Sequence, residues 1–155
     1  MKSTINDYEE YKHVLHLYGL YMSKEQEYLR EAMELQIEVD DMMFPKGINF
    51  EEKLGSNRNP KSTPAINQKQ YELAYADKKA EEYRLKYEYL DEKYNIEERL
   101  NLLPKNQRII IEMVYFKKKS YDAIVIEEHK KVSRQSVSER VKNAVNSFMK
   151  IHVGE

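Results

Sequence analysis

Two long stretches of the chain repeat apolar and aromatic residues at alternating spacings of three and four, and this periodicity constrains the fold most. The first stretch runs from about Asp7 to Met43 and the second from about Asn67 to Leu100. Such a spacing places the repeated residues on one stripe of an α-helix, as in a coiled-coil seam. The 155 residues include only 4 Gly and 4 Pro, which leaves little room for a turn-rich β sandwich or barrel. The sequence therefore predicts an all-α fold.

The two periodic stretches are expected to pack against each other as a long N-terminal helical hairpin that resembles a coiled coil. The repeated residues of the first stretch are Tyr11, Val14, Tyr18, Tyr21, Tyr28, Ala32, Leu35, Val39 and Met42. Those of the second stretch are Leu73, Ala76, Ala80, Tyr83, Tyr87, Leu90 and Tyr94. Because the flanking positions are mostly acidic, we interpret the tyrosines as rings packed in a seam and not as a platform for stacking bases. Ser23 and Gln26 have the spacing of a capping box, which allows a helix break near Met22.

A loop is predicted between these helices, at about residues 44–66. This segment contains three of the four prolines and two of the four glycines of the chain. Both residue types are typical of turns and end helices. The expected organisation is a helical hairpin over residues 1–100, with the loop inside it, and a second module over residues 101–155.

The charge of the chain is close to balanced in total, at −1, but it is unevenly distributed along the sequence. Residues 104–155 contain 11 Lys and Arg against 6 Asp and Glu, a net charge of +5. Residues 1–66 contain 8 basic against 12 acidic side chains, and residues 67–103 contain 7 against 9. A basic segment on an acidic body indicates either an anionic partner, nucleic acid first, or a solvated lysine-rich surface.

The basic segment has the helix pattern of a helix-turn-helix. Pro104 suits the first turn of its first helix, whose apolar face consists of Ile109, Ile110, Met113, Val114 and Phe116. Ser120 and Ser133 are the predicted N-caps of two further helices, over about residues 121–128 and 134–151. The apolar stripe of the last helix consists of Val137, Val141, Ala144, Val145 and Phe148. Two amphipathic helices joined by a tight turn are typical of this motif.

The last helix is expected to turn a polar face to solvent, opposite its apolar stripe, and this face supplies the candidate DNA contacts. An α-helix fits the major groove of DNA, with its N-terminal residues nearest the base edges. Arg134 can donate twice to guanine, Gln135 can pair with adenine, and Glu139 can accept from cytosine. The hydroxyls beside them are Ser136 and Ser138, and the residues suited to phosphates are Lys130, Lys131, Arg140 and Lys142.

The basic segment resembles the region-four helix-turn-helix of sigma factors over residues 103–148, LPKNQRIIIEMVYFKKKSYDAIVIEEHKKVSRQSVSERVKNAVNSF. The matching positions are Leu103, Pro104, Arg108, Ser120, Tyr121, Ile124, Ser133, Arg134, Val137, Arg140 and Ala144. The whole layout is similar to that of small phage transcriptional regulators of the ArpU/RinA type. This resemblance implies binding to double-stranded DNA, activation of late phage operons with RNA polymerase as a further partner, and a place in the cytoplasm of a bacterial host.

The sequence departs from the sigma-factor pattern in two places. Residues 128–131, Glu-His-Lys-Lys, make the turn between the two helices longer than the usual tight turn. Val125 stands where a small alanine commonly lets the two helices approach each other. Either change can shift the recognition helix.

The sequence gives little support for an enzyme or a metal site. Zero Cys excludes a disulfide scaffold, a Cys-ligated zinc site and thiol catalysis, and the chain has no phosphate-binding loop or hydrolase motif. The pairs with a spacing suited to chelation are Glu31 with Glu34, Glu88 with Asp91, and His13 with His16. Acidic residues are so abundant that chance accounts for the carboxylate pairs, and the histidines lack a third ligand nearby. We expect no cofactor, no bound metal and no catalytic activity.

Three further expectations concern location and partners. No apolar run approaches the roughly 20 residues that span a bilayer, and the start lacks an apolar signal-peptide core, so a soluble cytoplasmic protein is expected.

The alternative function is a non-enzymatic phage module that binds a host protein through the acidic hairpin. A homodimer through the hairpin is expected because the apolar residues between Val14 and Met22 cover more than half a turn, too wide for one neighbour. Packing of Tyr121 and the first helix of the basic segment onto that surface is the rival way of covering it.

Overall fold

The computed structural model describes residues 4–44 and 63–152, with side chains from Asp7 onward. All regular secondary structure in these residues is helical, so the predicted all-α fold is confirmed. In chain order the elements are α1 (Thr4–Met43), α2 (Pro64–Tyr94), α3 (Ile96–Leu102), α4 (Lys105–Ile111), a π-helical turn (Glu112–Phe116), α5 (Tyr121–Glu127) and α6 (Arg134–Lys150). None of the described helices has the length and apolar character needed to cross a lipid bilayer.

α1 is a single helix of 40 residues. It continues without interruption past Ser23, so the break that the capping-box spacing allowed near Met22 is absent. Tyr18 before this point and Ala32 after it are both buried. Packing of apolar residues on both sides of Ser23 therefore outweighs its local preference for a helix N-terminus.

The start of α2 lies inside the predicted loop. The helix begins at Pro64, and the hydroxyl of Thr63 accepts a hydrogen bond from the Ile66 N–H at 3.1 Å. Proline suits a first turn because its missing N–H would have no partner there. The rest of the loop predicted over residues 44–66 falls outside the described residues, which stop at 44 and resume at 63.

The second helix does not reach Leu100, and this part of the sequence prediction is wrong. α2 ends at Tyr94, and α3 starts after Asn95, whose φ of 53° and ψ of 47° are left-handed. Asparagine tolerates this conformation better than most residues. The Asp91 carboxylate accepts a hydrogen bond from the Glu97 N–H at 2.8 Å, which satisfies a donor at the start of α3. An asparagine inside an apolar periodicity is a weak signal, and the periodicity alone predicts a continuous helix here.

Contacts divide the chain into two compact units. The first unit consists of Met1–Ser23 and Arg84–Glu155, and the second unit consists of Lys24–Tyr83. The first unit thus includes residues from both sides of the boundary predicted near residue 100. The division into a hairpin over residues 1–100 and a module over 101–155 stays a prediction.

The second unit holds parts of α1 and α2 that run antiparallel. Its buried residues are Ala32, Leu35, Val39, Ile66, Ala76 and Ala80. The Tyr28 and Tyr83 rings stack with centroids 5.9 Å apart, and Lys69 Nζ lies 2.6 Å from Glu38 Oε2. Later residues of α1 thus meet earlier residues of α2, as the periodicity predicts for a hairpin.

The first unit has a core to which five of its helices contribute. Its largest fully buried side chains are Leu15, Ile96, Ile111, Ile124, Val137, Val145 and Phe148. The predicted apolar stripe of α6 is buried throughout, as expected. In α4 the predicted face is partly wrong, because Ile111 is buried whereas Ile109 is 40% exposed. Adjacent isoleucines differ by about 100° around a helix, and only the packing of α4 decides which of them faces inward.

Gly19 lets α1 approach the backbone of the π-helical turn. A Cβ at this position would lie 2.1 Å from the Tyr115 carbonyl oxygen. Beside this contact the Tyr18 and Phe116 rings pack with centroids 5.5 Å apart, and Tyr115 itself is buried. Part of the wide apolar surface predicted on the first helix is therefore covered within the chain, by the residues that precede α5.

Gly19→Ala tests this close approach. In an isolated helix the change would stabilise the protein by up to about 1 kcal/mol, because alanine is the better helix former. Here we expect the free energy of unfolding to fall by about 1–3 kcal/mol, since the methyl group would overlap the Tyr115 carbonyl. Urea denaturation followed by circular dichroism measures the difference.

Ser23→Ala is the matched control for this variant. Ser23 is exposed on the same helix, so its replacement should change stability by less than about 0.5 kcal/mol. A Gly19→Ala protein more stable than the parent would contradict the close approach.

Candidate nucleic-acid interface

α5 and α6 begin at serine N-caps, as predicted. The Ser120 hydroxyl accepts a hydrogen bond from the Ala123 N–H at 3.1 Å. The Ser133 hydroxyl accepts one from the Ser136 N–H at 3.0 Å. Each cap satisfies a donor that has no partner within its helix. The start of α6 is therefore fixed at Arg134 by its own sequence.

The turn between α5 and α6 closes the end of α5 with two backbone hydrogen bonds. The His129 N–H donates to the Ile126 carbonyl oxygen at 3.0 Å, and the Lys130 N–H donates to that of Val125 at 2.9 Å. This pair of bonds is a Schellman motif. His129 and Lys130 have φ of 55° and 61°, values that usually favour glycine. The longer turn is thus an ordered structure built on two left-handed residues.

The predicted contact residues lie together on α6 and on the turn that precedes it. The exposed residues among them are Lys130, Lys131, Arg134, Gln135, Ser138, Glu139, Arg140 and Lys142. Ser136 is half-buried, and its N–H donates to the Ser133 hydroxyl. The opposite stripe of α6, from Val137 to Phe148, is buried. The helix therefore has the two-sided character that the sequence predicts, and the contact of each side chain with bases or phosphates stays a prediction.

Arg140 differs from the other predicted contact residues because it already faces a carboxylate. Its Nη1 lies 3.5 Å from Glu128 Oε1, with side chains 46% and 44% exposed. Such an exposed pair contributes little to stability, so the guanidinium can exchange this partner for another anion. Arg140 also borders a groove of about 520 Å³, which Ile109 and Ile110 of α4 and Met113 of the π-helical turn line on the other side.

Two of the three lysines that follow the π-helical turn are bound within the chain. Lys118 Nζ lies 3.2 Å from His16 Nδ1 and 3.2 Å from the His16 carbonyl oxygen. Burial lowers the pKa of the Lys118 ammonium from its usual value. Lys119 pairs with the Glu127 carboxylate. Groups of the chain itself therefore engage both ammonium groups, which the sequence alone did not reveal.

Arg99 anchors the C-terminal end of α6, a role that sequence reasoning missed. Its Nη1 donates to the carbonyl oxygens of Phe148 and Met149, at 3.1 and 3.2 Å. Its guanidinium also lies over the rings of Tyr11 and Phe148, at 5.4 and 5.8 Å from their centroids. A cation at this end satisfies carbonyls that lack helical partners. No local pattern distinguishes Arg99 from any other surface arginine.

The pairs considered for chelation do not form a metal site in the described residues. No group of three or more His, Asp or Glu side chains is arranged there to hold a metal ion. Glu88 pairs with Arg84 at 2.9 Å, and the Asp91 carboxylate caps α3. These two carboxylates thus have structural partners of their own.

Comparison of the chain with protein-family models, curated proteins and solved structures finds no match. The functional interpretation therefore depends on the geometry of α5, the turn and α6.

His129→Gly tests the left-handed turn. Removal of the Cβ relieves a cost of about 1–2 kcal/mol at positive φ, partly offset by the greater freedom of glycine in the unfolded chain. We expect the free energy of unfolding to rise by about 0.5–1 kcal/mol in urea denaturation. Lys131→Gly is the control, because Lys131 is exposed and its φ is not positive. This variant should be slightly less stable than the parent, and equal effects of both changes would argue against the turn as described.

Proposed function

We propose that the chain is a sequence-specific DNA-binding transcriptional regulator that inserts α6 into the major groove. The observation that supports this most is the division of α6 into a buried apolar stripe and an exposed polar face that begins at a capped N-terminus. A recognition helix needs both features, because its side chains must reach base edges while the rest of the domain holds its backbone.

The proposed reading residues occupy the first two turns of α6. Arg134 and Gln135 lie in the first turn, and Ser138 and Glu139 in the second. Arginine and glutamine can each make two hydrogen bonds to one purine, which discriminates between bases. Glu139 accepts from cytosine, and the serine hydroxyl supplements these contacts.

The proposed phosphate contacts flank the reading residues. Lys130 and Lys131 are exposed in the turn immediately before α6, and Lys142 is exposed further along it. Phosphate contacts fix the register of a protein on DNA without reading its sequence. Arg140 joins this set by exchanging Glu128 for a phosphate.

A phage role is the more specific form of the proposal, and it depends on the resemblance to sigma-factor region four and to ArpU/RinA-type regulators. Under this proposal the protein activates late operons in the cytoplasm of a bacterial host and contacts RNA polymerase. Residues 103–148 carry the motif on which the resemblance depends.

Lys130→Ala combined with Lys131→Ala tests the phosphate contacts. DNA affinity of the parent should fall linearly with salt on logarithmic axes, and each phosphate contact contributes about 0.9 to the slope. The double variant should therefore lose about 1.8 from the slope and weaken binding similarly on every sequence. Fluorescence anisotropy with a labelled duplex of random sequence measures both quantities.

The control replaces Lys12 and Lys93, exposed lysines on α1 and α2, with alanine. This variant has the same net charge as the test variant but should keep the parent slope. Absence of affinity for any duplex at low salt would overturn the DNA-binding proposal.

Arg134→Ala and Gln135→Ala test base reading. Selection from a randomised duplex pool first supplies a preferred site for the parent protein. Each variant should then lose about 1–3 kcal/mol of binding free energy on that site and little on random DNA. Lys150→Ala, at the far end of α6, should retain the preference. Equal losses on both duplexes would limit Arg134 and Gln135 to phosphate contacts.

The second candidate function is binding of a host protein through the acidic hairpin. It is favoured by an exposed apolar row on α1, formed by Leu29, Met33 and Ile37 at 48%, 65% and 56% exposure. A protein that shows no DNA affinity, yet loses a host partner on Met33→Glu, would fit this function and not the first.

A further inference from the structure

A row of side chains follows the outer face of α2, opposite the face that packs on α1. Its members are Tyr71, Tyr75, Lys78, Glu82, Leu85 and Tyr89. Their spacings alternate between four and three, so they form a second heptad seam on the same helix. The apolar members are 73%, 52%, 54% and 62% exposed in chain order. The described part of the chain therefore leaves this seam open along the helix.

The order of residues in the seam is symmetric about position 80. Reversal of the row places Tyr71 opposite Tyr89, Tyr75 opposite Leu85, and Lys78 opposite Glu82. A two-fold axis through the middle of an antiparallel helix pair produces this reversal, because each residue then meets its mirror position in the other copy. A reversed copy of the row therefore places large apolar side chains against large apolar side chains, and a lysine against a glutamate.

We propose that two copies of the chain associate through this seam, with their α2 helices antiparallel and a two-fold axis near residue 80. Each Lys78 then faces Glu82 of the second copy, so two ion pairs lie at the centre between apolar contacts. A polar pair in an otherwise apolar seam fixes the register, because any shifted alignment places a charge against an apolar residue.

The charges beside the seam influence the association of the two copies less than the central pairs of Lys78 with Glu82 do. Glu82 pairs with Lys79 within the chain at 3.2 Å, and both side chains are about a third or more exposed, at 42% and 32%. Such solvent-screened pairs are weak and can be exchanged. Lys79 lies on one flank of the seam and Glu81 on the other. Beside the seam, each of them faces the same residue of the second copy. Solvent screening weakens the repulsion of these like charges, as it weakens the pair of Lys79 with Glu82. Glu72 on one flank meets Lys86 of the other copy, which favours the same alignment.

Charge reversal with rescue tests the register. Sedimentation equilibrium of the full chain should give twice the chain mass of 18.6 kDa at micromolar concentration. Lys78→Glu and Glu82→Lys should each raise the dimer dissociation constant at least about tenfold, because like charges then meet at the centre. The double variant restores opposite charges and should return the constant to within about threefold of the parent.

Controls separate this seam from other surfaces and from loss of folding. Lys12→Glu makes the same charge change at an exposed position of α1 and should leave the dimer intact. Far-UV circular dichroism must show the parent helix content for every variant, which is expected because Lys78 is exposed. A monomeric parent protein, a double variant without rescue, or a dimer broken by Met33→Glu and insensitive to Lys78→Glu would overturn the proposal.

Spin labels test the antiparallel orientation. The chain has no Cys, so Ala74→Cys and Gln70→Cys each provide a single labelling site on an exposed residue of α2. With an axis at residue 80, the two copies of each label are separated along the helices by about 18 Å at position 74 and about 30 Å at position 70. A longer distance at position 70 supports the antiparallel pair, and equal short distances would show a parallel pair and overturn it.

Discussion

Burial of one stripe of α6 is the constraint on which the rest of the first unit depends. Val137, Val141, Val145 and Phe148 lose nearly all contact with solvent, and burial of each such side chain contributes about 1.5–3 kcal/mol. The core is completed by residues from α1, α3, α4 and α5, so the orientation of α6 is set by the whole unit and not by α5 alone.

Local contacts hold the N-terminal end of α6, and contacts distant in sequence hold its C-terminal end. At the N-terminal end, the Ser133 cap and the Schellman turn fix where the helix begins. At the C-terminal end, Arg99 bonds the last carbonyls and links α3 to the ring of Tyr11 on α1. The polar face of α6 is thereby presented on a rigid support, which a base-reading helix requires. The long α1 helix is part of this support as well as of the second unit.

The sequence predicted the local features of this arrangement well. Ser120 and Ser133 are N-caps, and the α6 stripe is buried, because capping and helical periodicity are properties of short segments. The predictions failed where distant packing decides. Ile111 replaces Ile109 in the core because the packing of α4 decides which isoleucine faces inward. The end of α2 at Asn95 was missed for another reason, because the local signals of Asn95 and Asp91 stand inside a continuous apolar periodicity. The contact of Lys118 with His16, which lies in the first helix, was missed because it joins distant parts of the chain.

By itself the sequence determined the all-α class, the helix starts at serine caps and the residues exposed on α6, since these follow from spacing and backbone hydrogen bonding. It also contains the symmetric order of the outer row on α2. Only the tertiary structure decided that α1 belongs to the core around α6, through the close contact of Gly19 with the Tyr115 carbonyl, and that Arg99 closes the end of that helix. These contacts join residues that lie far apart in the sequence, Gly19 with Tyr115 and Arg99 with Met149. Side-chain periodicity has no means of specifying which distant surfaces meet.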